Sequence, residues 1–139
     1  MSDTLGPLME RNLREVFGQP DSARRAVAIA EIYTANCTFF ESGERIVGRD
    51  ALNAKIECIL QEAPGFVFRA TGPAEVNHDL ARLQWHLGPP GAPPTVTGMD
   101  VAIFEHGRIR ALYIFSRQAC ERLSRLGRRS PRRRSYSGD

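Results

Sequence analysis

The chain has 139 residues, 42% apolar and 25% charged, the composition of one soluble globular domain with a single core. No apolar run approaches the roughly 20 residues of a membrane-spanning helix. Met1 to Pro7 lacks the basic-then-apolar pattern of a secretory leader, so the expected compartment is the cytoplasm. The net charge of +3 is carried by the C-terminus: without residues 128–139, which hold five arginines and Asp139, basic and acidic side chains number 14 and 15. A cationic nucleic-acid face on the domain is therefore not expected, and any such binding would be weak and confined to the tail.

Leu8 to Phe17 reads as a first helix, with Leu8, Met9, Leu13, Val16 and Phe17 near one side. Gly18-Gln19-Pro20 breaks it, and Asp21 or Ser22 caps a second helix running to about Asn36. Cys37 to Phe40 is β-branched and aromatic, a short strand that returns through Arg45-Ile46-Val47. Asp50 is the expected N-cap of a third helix, with Leu52, Ile56, Ile59 and Leu60 as its stripe and Pro64-Gly65 as its end.

Strands follow: Phe66 to Thr71, Ala74 to His78 beyond a Gly72-Pro73 bend, Leu80 to Leu87, Thr95 to Glu105, and Arg108 to Ser116 after a tight His106-Gly107 turn. Arg117 to Leu126 is expected to be a short helix. The domain is taken as residues 1–126, and 127–139 as a disordered Arg/Ser-rich tail. Helices first and a strand meander after them define an α+β fold with helices on one face of a curved sheet.

Strand parity singles out Asp100. Val96, Gly98, Asp100, Ala102 and Phe104 share one face of their strand, and Thr97, Met99, Val101 and Ile103 share the other. Both faces are mainly apolar, which implies a homodimer packed through the outer face of the sheet. A mid-strand Asp among apolar neighbours either meets solvent or an arginine (Arg69, Arg82 or Arg110), or is buried with a raised pKa. His86 on the preceding strand falls opposite Gly98 or Asp100 if they share a face. His86, Gln84 and Asp100 would then form a polar patch in an apolar cavity, the usual form of a ligand site. Tyr33, Phe66, Phe68, Gln84, Phe104 and Phe115 are the candidate lining, or side chains that plug the cavity.

Further residues carry a family resemblance. Tyr33-Thr34-Ala35-Asn36-Cys37-Thr38-Phe39-Phe40-Glu41, the helix start Val47-Gly48-Arg49-Asp50-Ala51-Leu52, Thr71-Gly72-Pro73 and the closing hairpin Met99 to Ile109 resemble the nuclear-transport-factor-2-like superfamily. Within it they resemble the ketosteroid isomerases and the SnoaL-like polyketide cyclases. The resemblance implies a cone of three helices on a strongly curved mixed or antiparallel sheet, with an internal cavity. It implies that Asp100 is a carboxylic acid aimed at a substrate oxygen, kept neutral by its apolar site as in the ketosteroid isomerases. His86 would be its partner, as in the cyclases, and Glu41 would stand where the isomerases carry their base. The isomerases also use a first-helix Tyr; the nearest position here is Phe17, which has no donor.

The expected function is therefore cofactor-free acid–base chemistry on a small hydrophobic carbonyl compound, an isomerase, cyclase or related lyase with Asp100, His86 and Glu41 as catalytic groups. The alternative is a non-catalytic ligand-binding or dimerisation module. Neither a nucleotide, flavin nor metal pattern is present in the sequence, and Cys37, Cys58 and Cys120 are expected to be reduced and mostly buried.

Overall fold

The computed structural model describes residues 4–118. Helix α1 (Leu5–Arg11) starts three residues before the expected Leu8 and continues as a π-helical segment, Asn12–Phe17. The segment closes with an N–H of Gly18 bonded to the Leu13 carbonyl at 2.9 Å, the wider ring that defines a π turn. This winding buries Leu13, Val16 and Phe17, and Asn12 with them. Helix α2 (Ser22–Ile32) is capped as expected by Asp21, whose carboxylate accepts from the N–H groups of Ala23 and Arg24.

α2 stops four residues short of the expected Asn36, because Tyr33 already belongs to strand β1 (Tyr33–Glu41) and pairs with Ile109. Arg49 fixes this junction. Its guanidinium donates to the Tyr33 carbonyl at 2.6 and 3.2 Å and to the Ala30 carbonyl at 3.3 Å, carbonyls that a helix end leaves open. Strand β2 (Glu44–Val47) leads into α3 (Arg49–Glu62). Here the N-cap is Gly48 rather than Asp50; its φ of 97° suits a residue without a Cβ, and Asp50 sits in the first turn, where its charge complements the helix dipole.

Arg25 ties the helices together. Fully buried, it donates to the carbonyls of Gln19 and Pro20, to Asn53 and to Glu57, the last at 3.0 Å. These bonds span the turn after the π segment, α2 and α3.

The remaining strands are β3 (Val67–Ala70), β4 (Glu75–Asn77), β5 (Leu80–Gly88), β6 (Val96–Glu105) and β7 (Arg108–Gln118). They complete one seven-stranded sheet in the order β2-β1-β7-β6-β5-β3, with β4 also on β5. The pairs are antiparallel except β1 with β7, which is parallel and makes the sheet mixed. β3 and β4 take successive stretches of β5, so Gly72-Pro73 is the expected bend between them. The last strand runs on through Arg117 and Gln118, which therefore do not begin a helix; the rest of that expected helix, the 127–139 tail and Cys120 lie outside the described residues.

The helices cover one face of the sheet. Met9, Val16, Ile29, Ile32, Leu52 and Ile56 meet Leu83, Ala102, Ile109 and Leu112 in a single core. Among the described residues, no helix is long and apolar enough to cross a membrane. Cys37 is buried in this core, whereas Cys58 is exposed, contrary to expectation.

Candidate functional site

Directly paired residues of neighbouring strands point to the same face. Asp100 is paired with Leu83 on β5 and Ile114 on β7, so it faces inward under the helices. It is 1% exposed. None of Arg69, Arg82 and Arg110 neutralises it: all are exposed, and Arg82 is bonded to Glu75 at 2.6 Å. Its hydrogen bond comes instead from the indole N–H of Trp85, 2.8 Å from Oδ1, while Oδ2 is buried without a partner. Burial pushes the carboxyl up to about 7, and the Trp85 hydrogen bond offsets this only in part.

Gly98 makes the Trp85 contact possible. It pairs with Trp85, and a Cβ at this position would lie closer to the nearest indole carbon than real Cβ atoms come. The ring lies across the bare backbone of Gly98 with its other side against Phe68, edge-on at 5.3 Å between centroids. Phe68 and Phe39 both meet Phe17, at 6.1 and 6.3 Å, so aromatic rings pack around the indole.

A second buried polar pair faces the same interior. Tyr33 and Asn12 are both fully buried, and the Tyr33 hydroxyl donates to Asn12 Oδ1 at 2.6 Å. Burial, and then the Asp100 charge, push the Tyr33 hydroxyl well above the ordinary phenol range. Asn12 Nδ2 is buried with no partner. The interior thus holds a carboxyl that readily keeps its proton, a neutral phenol and an amide, with one free polar atom on the carboxyl and one on the amide.

Of the expected catalytic set, His86 and Glu41 both line one groove on the outer face, while Asp100 lies on the other face of the sheet. His86 pairs with Thr97, and its face carries Gln84 and Met99 rather than Asp100, so the expected His86–Asp100 pair does not form. The expectation needed an even-sum register between β5 and β6, whereas the strands pair Leu83 with Asp100. Glu41, at the end of β1, is engaged with Lys55 at 2.8 Å; Lys55 also holds Glu44 at 2.9 Å, and both carboxylates keep the ammonium charged.

The expected lining also divides between the faces. Tyr33 and Phe104 are buried in the core, with Phe66 and Phe68 packed against it. Gln84 lies on the outer face with Met99, and Phe115, 64% exposed, is also paired with Met99. Trp85, Asn12 and Gly98 were missed. A lone Gly between apolar strand residues is a signal for a large side chain lying across the backbone; Asn12 carries no comparable signal, because its burial follows from the π winding.

On the outer face, Phe40, Gln84, His86, Met99, Tyr113 and Phe115 line a groove of about 890 Å³. Phe40 and Tyr113, both in its lining, stack at 4.5 Å between centroids. Among the described residues, no cluster of His, Cys, Asp and Glu is arranged to hold a metal ion.

Three helices on a mixed, curved, unclosed sheet with an inward carboxyl define an α+β fold of the nuclear-transport-factor-2-like type. The family model described as the SnoaL-like domain matches residues 15–112, and the chain belongs to that family. Solved structures of the same fold include a SnoaL-like family protein from Agrobacterium tumefaciens C58 with a provisional isomerase assignment. It is 23% identical, with a TM-score of 0.75, over 84% of this chain and 99% of that one. A protein from Jannaschia sp. CCS1, provisionally a SnoaL-like polyketide cyclase, is 15% identical, with a TM-score of 0.73, over 94% and 95% of the two chains. A provisional ketosteroid isomerase from Kribbella flavida is 14% identical, with a TM-score of 0.65, over 97% and 93%. At these identities the likeness establishes the fold and not an activity. No protein of curated function matches the sequence.

Proposed function

We propose that the chain is a cofactor-free acid–base enzyme acting on a small hydrophobic carbonyl compound, with Asp100 as the acid. The observation that carries this is the Oδ2 atom of Asp100, buried in an apolar interior without a partner on a carboxyl whose pKa is raised to about 7. A carboxyl in that state keeps its proton in about half of the molecules at neutral pH, and that protonated form is a hydrogen-bond donor suited to a carbonyl oxygen on which negative charge develops. Trp85 holds the other oxygen and so fixes which one is free. Isomerisation and cyclisation both begin with loss of a proton from the carbon beside a carbonyl, here taken by solvent while Asp100 donates to the oxygen of the enolate that forms, which agrees with the provisional assignments of the Agrobacterium and Jannaschia proteins.

The test is exchange of α-protons for deuterium in a panel of hydrophobic cyclic ketones, 2-tetralone among them, followed by proton NMR in D₂O. The wild-type protein should accelerate exchange of at least one member, and Asp100→Asn should lower that rate at least about a hundredfold. Exchange in Asp100→Asn close to wild type rejects the role.

A second reading is favoured by one observation, the groove of about 890 Å³ on the outer face, which bears His86, Gln84 and the exposed Phe115. In this reading the chain is a module that homodimerises through that face, and the inner carboxyl contributes to the structure alone.

A further inference from the structure

Strand pairing sets four residues of the outer face in one row. Arg69 on β3 is paired with His86 on β5, His86 with Thr97 on β6, and Thr97 with Arg117 on β7. Directly paired side chains share a face, so the two arginines stand at the ends of a row whose middle members line the groove, as Arg117 itself does. Neighbouring strands lie about 4.8 Å apart, which puts the two arginine Cα atoms roughly 14 Å apart, within the combined reach of two such side chains. Aromatic rings follow along β7: the exposed Phe115 two positions from Arg117, then Tyr113 on its stack with Phe40.

The positive charge of this face is not neutralised. Arg82 is bonded to Glu75, and Glu41, the only carboxylate in the groove lining, is held by Lys55. Arg69, Arg117, and Arg45, which is paired with Phe40 at the other end of the groove, have no carboxylate partner among the described residues. The near-neutral charge count of residues 1–127 therefore conceals a face with an excess of cations.

We propose that the outer groove is a second ligand site, for a small planar aromatic acid whose carboxylate is held by Arg69 and Arg117 and whose ring lies against Phe115 and the Phe40–Tyr113 stack. The inference is independent of the reading of Asp100, which faces the opposite side of the sheet. A groove of about 890 Å³ is of the size that small molecules occupy. A guanidinium meets a carboxylate with two parallel N–H bonds, and exposed rings take a further ring edge-on or offset. A second copy of the chain is the rival occupant. A two-fold contact sets this face against itself, and the face offers arginines with no free carboxylate to meet them. An aromatic acid supplies both the ring and the missing charge. Binding involves no covalent step.

The experiment compares three compounds by isothermal titration calorimetry on the full chain at low salt. They are 2-naphthoate, 2-naphthamide, which keeps the rings without the charge, and cyclohexanecarboxylate, which keeps the charge without an aromatic ring. Wild type should bind 2-naphthoate at least about tenfold more tightly than either of the others. Arg69→Gln with Arg117→Gln should abolish most of the preference for 2-naphthoate over the amide and leave affinity for the amide within about twofold. Phe115→Ala should weaken both naphthalenes. All three side chains are exposed, so these variants keep the fold, which thermal melts verify.

Equal affinity of the wild type for 2-naphthoate and its amide overturns the proposal, as does an unchanged preference in the arginine variant. Binding lost in Asp100→Asn but kept in the arginine variant places the ligand in the interior; it overturns the outer site and leaves the acid reading intact. A wild type that binds none of the three also overturns it, and sedimentation velocity then shows whether a second copy fills the groove.

Discussion

Ionising Asp100 in the fold removes a charge from water into a site with one hydrogen-bond donor, whereas in the unfolded chain the same group is fully hydrated. Its pKa accordingly rises from an ordinary 3.8 to about 7. Between roughly pH 4 and 7 the native state keeps a proton that the unfolded chain releases, so stability falls as pH rises through this window and levels off above it. The slope approaches about 1.4 kcal/mol per pH unit and the total is on the order of 4 kcal/mol. Tyr33 and Cys37, also titratable and buried in this interior, are both pushed upward by burial and stay neutral throughout. Thermal melts at stepped pH should show this decline in the wild type. They should show it absent in Asp100→Asn, which keeps an acceptor for Trp85; an equal decline in both assigns it elsewhere. The anomaly of an Asp in an apolar strand was legible in the sequence, as was its burial with a raised pKa as one of two outcomes. The group that hydrogen-bonds it was not, because an indole donor reaches Asp100 only through the β5–β6 register.

At the scale of elements, β5 and β6 are matched by a large residue over a small one. Gly98→Ala places a methyl group where the Trp85 ring lies, so either the ring rotates away from Asp100 or the strands separate. The expected loss is about 1–3 kcal/mol in chemical denaturation, as for other overpacked cores. The Asp100 carboxyl should also lose its donor and titrate higher. A stability within about 0.5 kcal/mol of wild type would show that the ring is not held there. The same pair explains the misplaced His86. The loop between the strands, Gly88 to Thr95, contains four prolines and does not fix whether paired positions sum to an odd or an even number. The apolar face Ala81, Leu83, Trp85 and Leu87 had to join the face of Ala102 and Phe104 to build one core, and that match carries Asp100 away from His86. Helix and strand identities followed from period and breakers, whereas the ends did not. The α2–β1 boundary is set by Arg49 reaching back to Tyr33, a contact between positions sixteen apart in the chain.

For the whole molecule, the sheet presents an inner face on which the helices pack and an outer face on which Phe115 is 64% exposed beside Met99 and the Phe40–Tyr113 stack. An apolar strand face of this kind is a usual seat for a second copy. Under the second reading, Phe115→Asp should convert a dimer to a monomer in sedimentation velocity while leaving the melting temperature of the monomer nearly unchanged. A wild-type protein that sediments as a monomer at high micromolar concentration removes that reading. Apolarity on both sides of β6 and β7 was visible from strand alternation alone. The outer groove was not, since it depends on the curvature of the sheet across strands distant in sequence.

Trp85 is the only tryptophan of the chain, and its indole N–H is the bond that holds Asp100. The molecule therefore carries its own optical reporter at the atom of greatest interest. Ionisation of the carboxyl, rotation of the ring or arrival of an oxygen at Oδ2 each alters the field at one fluorophore with no other indole to dilute it. Emission from the unlabelled protein then follows the site directly, in solution and at concentrations where neither crystals nor turnover are needed.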